Sequence, residues 1–428
     1  MISTSAVSTI SWLDMDDDQS RRIREAIAAL DDKETFDPIG TGTIRDAFSE
    51  ALFPGTSTIQ TRLRYFLFVP WTCYAVAAKR PSRKAFQDRL REQEWRLIEA
   101  LRPIGANQGV IGYRAGRKLT RLPASVYWHG LGAWGVRTQP RMTLADYRDL
   151  VTRPGRGDRT IRDDENVVLG GPPAPWDPGL PDPPDEYPAT GLSMQLTRDE
   201  ACYLRDRMRS TRAVGAGQAG APSMLACLAE DPAAWYDQEE PWSESLLTLP
   251  APVSEMLTHA RNFSDITFGA QLLYNVLLSR RAAKLLCAET SHLDDWVASE
   301  IDAWIGKITA RSDSLQDWWS RSDAFWGVVS GCRGRARPGT RAFLEHWIGA
   351  AVKDPRTALE DAGLRRRVTE QELALKGRYA RLSYQPALQS WDGDAIGGAP
   401  LRYRWPTVRQ FLSDLQGGLA GKVADGAA

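Results

Sequence analysis

Apolar residues recur at helical spacing along most of the chain, which predicts a protein built mainly of α-helices. Residues 82–101 predict an amphipathic helix with four candidate core positions, Phe86, Leu90, Leu97 and Leu101. Residues 56–78 predict a long helix kinked at Pro70, because proline removes one helical hydrogen bond. Residues 16–30 predict a further helix with aspartates in its first turn.

The pattern continues in the second half of the chain. Thr197 is predicted to cap a helix, since acidic residues follow it in the first turn. Residues 266–288 predict the most apolar helix of this half, and residues 293–308 and 315–328 predict two tryptophan-bearing helices. The minor β content is expected in an irregular C-terminal segment with β-like runs such as residues 401–405.

A change of composition divides the chain. Residues 151–192 hold its densest proline and glycine content, which indicates a linker or a long surface arm. The sequence therefore predicts two domains: an N-terminal helical domain (1–150) and a C-terminal helical domain rich in tryptophan (193–416), followed by a flexible tail (417–428).

A basic part of the N-terminal domain resembles a winged helix. Pro123 occupies a first-turn position in residues 122–136, where apolar side chains follow at helical spacing and predict a short helix. Residues 110–119, just before it, are the candidate β-wing.

Composition is that of a globular protein, with 43% hydrophobic and 25% charged residues among 428. The five cysteines are scattered and form no CxxC pair, so neither a disulfide framework nor a zinc cluster is predicted. Residues 14–18 are acidic where a signal peptide would be apolar, and no apolar run is long enough for a bilayer. These features predict a cytoplasmic protein that does not enter membranes.

The formal net charge of zero hides strong segregation. Residues 100–145 contain no acidic residue but seven basic ones: Arg102, Arg114, Arg117, Lys118, Arg121, Arg137 and Arg141. A second window, residues 333–409, holds 15 basic residues against 8 acidic ones, a net charge of +7. Clustered cations interleaved with aromatic residues are the electrostatic pattern of nucleic-acid binding.

The first window supplies the candidate DNA or RNA ligands: Arg114, Arg117, Lys118, Arg121, Arg137 and Trp128. The alternative is that these cations form a solvated face or pair with acidic residues from elsewhere in the chain. Trp128, Trp134, Trp391 and Trp405 lie beside basic residues or turns and are candidates for stacking on bases, although core packing is the stronger interpretation.

A candidate phosphate site follows Pro54 and Gly55. Free N–H groups at a predicted helix start, with hydroxyl groups and two arginines nearby, suit a phosphate: Thr56, Ser57, Thr58, Arg62 and Arg64. The alternative is a capped helix whose arginines pair with Asp46 or Glu50.

Motifs of familiar enzymes are missing. Residues 215–220 match GxGxxG, but they follow a predicted helix where a dinucleotide site needs a strand. No P-loop, GxSxG or HExxH motif occurs, and the four histidines lack metal-ligand spacing. No catalytic residue, metal or cofactor is therefore predicted, and an unfamiliar enzyme using Asp14, Asp46 or the arginines Arg62 and Arg64 remains a third hypothesis.

The opening of the chain resembles the signature of a bacterial protein family of unknown function. The similar segments are 12–14 (WLD), 40–46 (GTGTIRD), 52–58 (LFPGTST), 62–71 (RLRYFLFVPW), 109–112 (GVIG), 127–128 (YW), 269–278 (GAQLLYNVLL) and 402–406 (RYRWP). Such proteins resemble accessory components encoded near phage-defence or restriction-modification genes. The resemblance implies no catalytic residues.

Together these observations favour a non-catalytic accessory protein that binds nucleic acid, in a phage-defence or DNA-processing complex. The alternative is a scaffold that docks a helicase, nuclease or methyltransferase through exposed tryptophans and the proline-rich arm, without touching nucleic acid.

Overall fold

The computed structural model describes residues 37–421, apart from 106–107, 154–160, 163–167, 171–173, 186, 189–191, 214–219, 243–248 and 333–335. The predicted helix at residues 16–30 lies outside this part. The described residues form sixteen α-helices: α1 (Gly42–Leu52), α2 (Tyr65–Ala78), α3 (Arg83–Leu101), α4 (Pro123–Ala133), α5 (Leu144–Thr152), α6 (Arg198–Arg209), α7 (Met224–Leu228), α8 (Ala251–Leu286), α9 (Ser291–Thr309), α10 (Ser312–Ser320), α11 (Ser322–Gly331), α12 (Pro338–Ala351), α13 (Pro355–Glu360), α14 (Ala362–Lys376), α15 (Gln385–Gln389) and α16 (Trp405–Leu419). The prediction of a mainly helical protein is confirmed.

Helices with local start signals lie close to where the sequence predicts them. The Ser82 side chain accepts a hydrogen bond from the Ala85 N–H at the start of α3. Thr197 and Glu200 form a capping box at the start of α6. Pro123 begins α4. These signals act within one turn of the chain, so they need no tertiary context.

Helix α2 begins later than predicted. The sequence pattern places its start at residue 56, but residues 56–64 form turns and the helix begins at Tyr65. Pro70 lies inside α2 as predicted. The apolar side chains of this helix are distributed around all its faces, and most of them are buried, so the sequence has little amphipathic contrast to mark the boundary.

The longest helix, α8, passes through the middle of the C-terminal half. It begins at Ala251, after Pro250, and is therefore longer than the predicted helix at 266–288. It contacts α1, α9, α12, α13, α14 and α15. These neighbours bury polar residues of its first half, such as His259 and Asp265. The first half therefore lacks the continuous apolar face by which the sequence would predict a helix. The predicted helix at 315–328 is two helices, α10 and α11, that meet at Arg321.

The predicted β elements are wrong. Residues 110–119, the expected wing, form turns and a 3-10 helix at Gly116–Lys118, so no winged helix is built there. Residues 401–404 form an irregular stretch and a turn, and Trp405 begins α16. The one strand pair within the described residues is β1 (Ile161–Arg162) with β2 (Val168–Gly170), an antiparallel ladder.

The described parts of the proline-rich segment pack against the N-terminal helices. Trp176 is buried. The indole N–H of Trp71 donates to the Pro181 carbonyl oxygen at 2.7 Å, and Tyr187 donates to the Phe68 carbonyl oxygen at 2.9 Å. These contacts tie the described parts of the segment to the N-terminal helices, and its interpretation as a linker or an arm stays a prediction.

Buried side chains from both halves of the chain form one large apolar cluster. Phe411 of α16, for example, lies edge-on to Phe66 of α2 and to Trp134, which follows α4. The division into two domains at residues 151–192 stays a prediction. No helix of the described residues has an apolar stretch long enough to cross a bilayer.

Every tryptophan in the part of the chain that the structure describes is buried or half-buried. Trp134 and Trp405 are fully enclosed, and Trp128 and Trp391 are half-buried. Core packing, the stronger of the two interpretations, therefore accounts for most of these side chains.

Candidate nucleic-acid interface

Five basic side chains of the acid-free window are exposed around the end of α3 and the following 3-10 helix. They are Arg102, Arg114, Arg117, Lys118 and Arg121, and we call this group the cationic surface. Arg102 is brought to the others by chain folding, since its Nη2 lies 3.9 Å from where a Cβ on Gly116 would be. Among the described carboxylates, Glu99 is the one that forms a salt bridge within this group, 3.5 Å from Arg117 and well exposed.

Apolar contacts beneath the cationic surface hold it against α3. Trp95, Ile98 and Leu122 form a small buried cluster, with Leu119 packed on it. Gly112, at φ +79°, lets the chain turn closely over this cluster, because a Cβ there would lie 2.9 Å from Leu119. The Arg117 guanidinium lies 5.8 Å from the Trp95 ring centre. Packing against α3 thus fixes the backbone segment that carries these basic side chains.

Arg137, from the same window, is built into the fold. Its side chain is 1% exposed and donates hydrogen bonds to the carbonyl oxygens of Trp128, Gln139 and Pro140. The guanidinium lies 4.9 Å from the Trp128 ring centre, and burial lowers the pKa of Arg137 to about 10. The Trp128 indole N–H donates to the Met142 carbonyl oxygen. Hydrogen bonds within the protein hold both side chains, and their assignment to a nucleic-acid interface stays a prediction.

The helix start that motivated the phosphate site is not at Thr56. Because α2 begins at Tyr65, residues 56–58 lie in turns well before it. The Thr56 hydroxyl is buried and donates to the Phe53 carbonyl oxygen at 2.7 Å, while Ser57 is half-buried and Thr58 is exposed. These residues do not present the row of free N–H groups that a helix N-terminus offers a phosphate.

Arg62 and Arg64 are engaged by carboxylates, although not by the expected ones. The Arg62 Nε donates to both carboxylate oxygens of Asp414 at 3.0 Å, and its Nη2 lies 2.9 Å from Oδ1. The Arg64 Nη2 lies 2.7 Å from Glu200 Oε1, and both side chains are nearly buried. Strong bidentate and buried pairs leave little of either guanidinium for an external phosphate.

The carboxylates first considered for these arginines have other partners. Asp46 pairs with its neighbour Arg45 at an exposed position. Glu50 pairs with His129 and Arg404. Burial alone would raise the pKa of Glu50, but the hydrogen bonds from His129 and Arg404 lower it to about 2.

The residues of the third hypothesis have separate partners where the structure describes them. Asp14 lies outside the described residues. Asp46 pairs with Arg45, and Arg62 pairs with Asp414. Within residues 37–421, as far as they are described, no three His, Cys, Asp or Glu side chains gather as a metal would require.

Helix α3, against which the cationic surface is held, also carries a buried carboxyl group. Glu94 of α3 is 4% exposed and accepts a 2.6 Å hydrogen bond from the Ala124 N–H in the first turn of α4. Burial raises the pKa of Glu94 to about 7 despite that hydrogen bond. The sequence contained the signal, because Glu94 lies four residues after the core position Leu90 and three before Leu97.

Comparison with known proteins assigns a family without an activity. The sequence matches the family described as "Family of unknown function (DUF6361)" over residues 7–419, nearly the whole chain. No curated protein and no solved structure is significantly similar to it. The segments that carry the resemblance at the start of the chain include Arg62 and Arg64, whose partners tie distant parts of the fold together. The chain belongs to the DUF6361 family of unknown function.

Proposed function

We propose that the protein is a non-catalytic accessory protein that binds nucleic acid through the cationic surface. The observation that carries the proposal is the exposure of Arg114, Arg117, Lys118 and Arg121, joined by Arg102, with Glu99 as their one salt-bridged carboxylate among the described residues. Polyanions gain affinity at such a surface by releasing condensed counterions.

The chemistry of this surface favours the sugar-phosphate backbone as the ligand. Its aromatic neighbour Trp95 is 6% exposed, so it offers no open face on which an unpaired base would stack. Arginine and lysine side chains on a fixed backbone segment are instead suited to contact the phosphates of a duplex. Such contacts do not read the base sequence. The chain resembles accessory proteins encoded near phage-defence or restriction-modification genes. We therefore propose DNA, within a complex of that kind, as the ligand.

Charge reversal tests the proposal. The variant Arg114→Glu, Arg117→Glu, Lys118→Glu and Arg121→Glu is compared with the wild type by fluorescence anisotropy on labelled duplex DNA, duplex RNA and single-stranded DNA across a salt series. If four phosphates are contacted, the logarithm of the wild-type binding constant should fall with the logarithm of salt concentration with a slope of about −3.5. The variant should lose both affinity and slope.

A matched control separates this surface from overall charge. Four exposed lysines outside the acid-free window serve: Lys79, Lys84, Lys284 and Lys353. Their replacement by glutamate changes net charge equally but should retain most of the binding. Equal loss in both variants, or no wild-type binding at low salt, would rule the proposal out.

The scaffold is the second candidate, favoured by a different observation. Four large apolar side chains of the C-terminal half are exposed: Leu285, Leu373, Tyr379 and Tyr384. They would suit a helicase, nuclease or methyltransferase partner. Purification from the native host after nuclease treatment distinguishes the candidates, since a partner held by these side chains survives nuclease and is lost on Tyr379→Ser and Tyr384→Ser substitution.

A further inference from the structure

A cavity of about 170 Å³ lies among α8, α9, α13 and α14, in the half of the protein that does not carry the cationic surface. Its apolar lining comes from five side chains: Leu273, Val276, Ile301, Ile305 and Leu359. A cavity of roughly 150 Å³ lined by aliphatic groups is large enough for a benzene molecule. The cavity therefore has room for an apolar group of ring size.

The polar lining of the same cavity is mostly cationic. Three arginines, Arg280, Arg356 and Arg365, and one acidic residue, Glu360, are among its lining residues. Arg280 and Arg356 are exposed, and neither forms a salt bridge with a carboxylate of the described residues. Arg365 is half-buried and its Nε donates to the Leu359 carbonyl oxygen at 3.0 Å, which anchors it at the wall.

Apolar walls with a few polar side chains are typical of small-molecule sites, and the lining arginines would suit an organic anion. Guanidinium groups recognise carboxylates and phosphates through paired hydrogen bonds, and they bind most strongly next to a low-dielectric wall. The single carboxylate Glu360 leaves the lining with an excess of positive charge.

We propose that the cavity binds a small amphipathic anion, in which a carboxylate or phosphate group is joined to an apolar body of about the size of a phenyl ring. The apolar body lies between α8 and α9, against Val276 and Ile305, and the anionic group meets Arg280 and Arg356. This site is independent of the proposed nucleic-acid binding, because it uses none of the residues of the cationic surface.

Calorimetric titration of the full chain tests the site with three probes. These are 3-phenylpropionate, phenyl phosphate and the neutral 3-phenylpropanol. At least one anionic probe should bind, and the neutral alcohol should bind at least about tenfold more weakly. The stronger of the two anions shows whether carboxylate or phosphate is the preferred head group. No binding by either anion up to about 10 mM, or equal binding of the alcohol, would overturn the proposal.

Two variants and a control locate the binding. Arg280→Ala with Arg356→Ala should weaken binding of the anionic probe by at least about tenfold. Val276→Phe should abolish it by filling the cavity. Arg366→Ala changes an exposed arginine of α14 that lies 3.9 Å from Glu370 and outside the lining, and should bind as the wild type does.

If Val276→Phe fails to fold, the double variant Arg280→Ala with Arg356→Ala still tests the site. Both arginines are exposed, so their replacement should leave the fold intact. Unchanged affinity in that double variant, or an equal loss in Arg366→Ala, would place the ligand elsewhere.

Discussion

Arg62 and Asp414 form a bidentate ion pair although they are 352 positions apart in the chain. The Arg62 side chain is 12% exposed and that of Asp414 is 3% exposed. Asp414 also accepts a 2.8 Å hydrogen bond from the Leu63 N–H. This one carboxylate therefore fastens the turn before α2 to α16.

Loss of that carboxylate should destabilise the protein. Asp414→Ala leaves the nearly buried Arg62 and the Leu63 N–H without their partner, so we expect the free energy of unfolding to fall by about 3 kcal/mol. Urea unfolding measures the change, and a double-mutant cycle with Arg62→Ala isolates the pair. The control is Asp317→Ala, which breaks the exposed pair with Arg321 and should leave the midpoint nearly unchanged. Equal effects of the two substitutions would contradict this account.

Gly269 should not tolerate a methyl group. A Cβ at Gly269 in α8 would lie 2.2 Å from the Trp304 ring of α9, whose indole N–H is held by the Asp265 carbonyl oxygen at 2.7 Å. Gly269→Ala is expected to lower the melting temperature, with a cost of about 1–3 kcal/mol from overpacking. Gly306→Ala in α9 meets open space and should instead stabilise by about 0.5 kcal/mol, since alanine favours helix. A stabilising effect at Gly269 would show that the two helices separate easily.

Glu94 should make stability depend on pH. Its pKa of about 7 in the folded protein lies above the ordinary 4.5, so the folded state binds the proton more tightly. The stability that this provides is complete below pH 4.5 and is lost as pH rises to about 7, a loss of about 3 kcal/mol. Glu94→Gln keeps an oxygen for the Ala124 N–H but cannot ionise, so it should remove this decline.

Urea unfolding at a series of pH values between 4 and 8 compares Glu94→Gln with the wild type. Glu92→Gln, at an exposed position of the same helix, serves as the control and should follow the wild-type curve. Parallel curves for the wild type and Glu94→Gln would mean that Glu94 is not the titrating group.

Arg137 should act on stability and not on ligand binding. Arg137→Ala removes the buried donor of three carbonyl oxygens, and we expect a loss of about 2 kcal/mol in a thermal or urea unfolding experiment. Arg141→Ala, at an exposed position four residues later, should unfold like the wild type. If Arg137→Ala instead left stability intact and weakened DNA binding, its guanidinium would belong to the interface.

Part of the candidate site follows from sequence alone. The acid-free window points to Arg114, Arg117, Lys118 and Arg121 because no carboxylate is near them in the chain, and these four side chains are exposed in the structure. The same reasoning also selected Arg137, which is buried. Charge density along the chain does not distinguish an exposed arginine from a buried one. Burial depends on which carbonyl groups the fold brings to each guanidinium.

The sequence by itself determined the helical character of the protein and the starts of α3, α4 and α6, because caps, prolines and apolar periodicity act over a few residues. The tertiary structure alone decided which charges are free. Arg62 pairs with Asp414 and Arg64 with Glu200, whereas Arg114 faces solvent. Such pairings depend on packing between distant helices. The residues next to an arginine in the sequence do not show whether a distant carboxylate will form a buried ion pair with it.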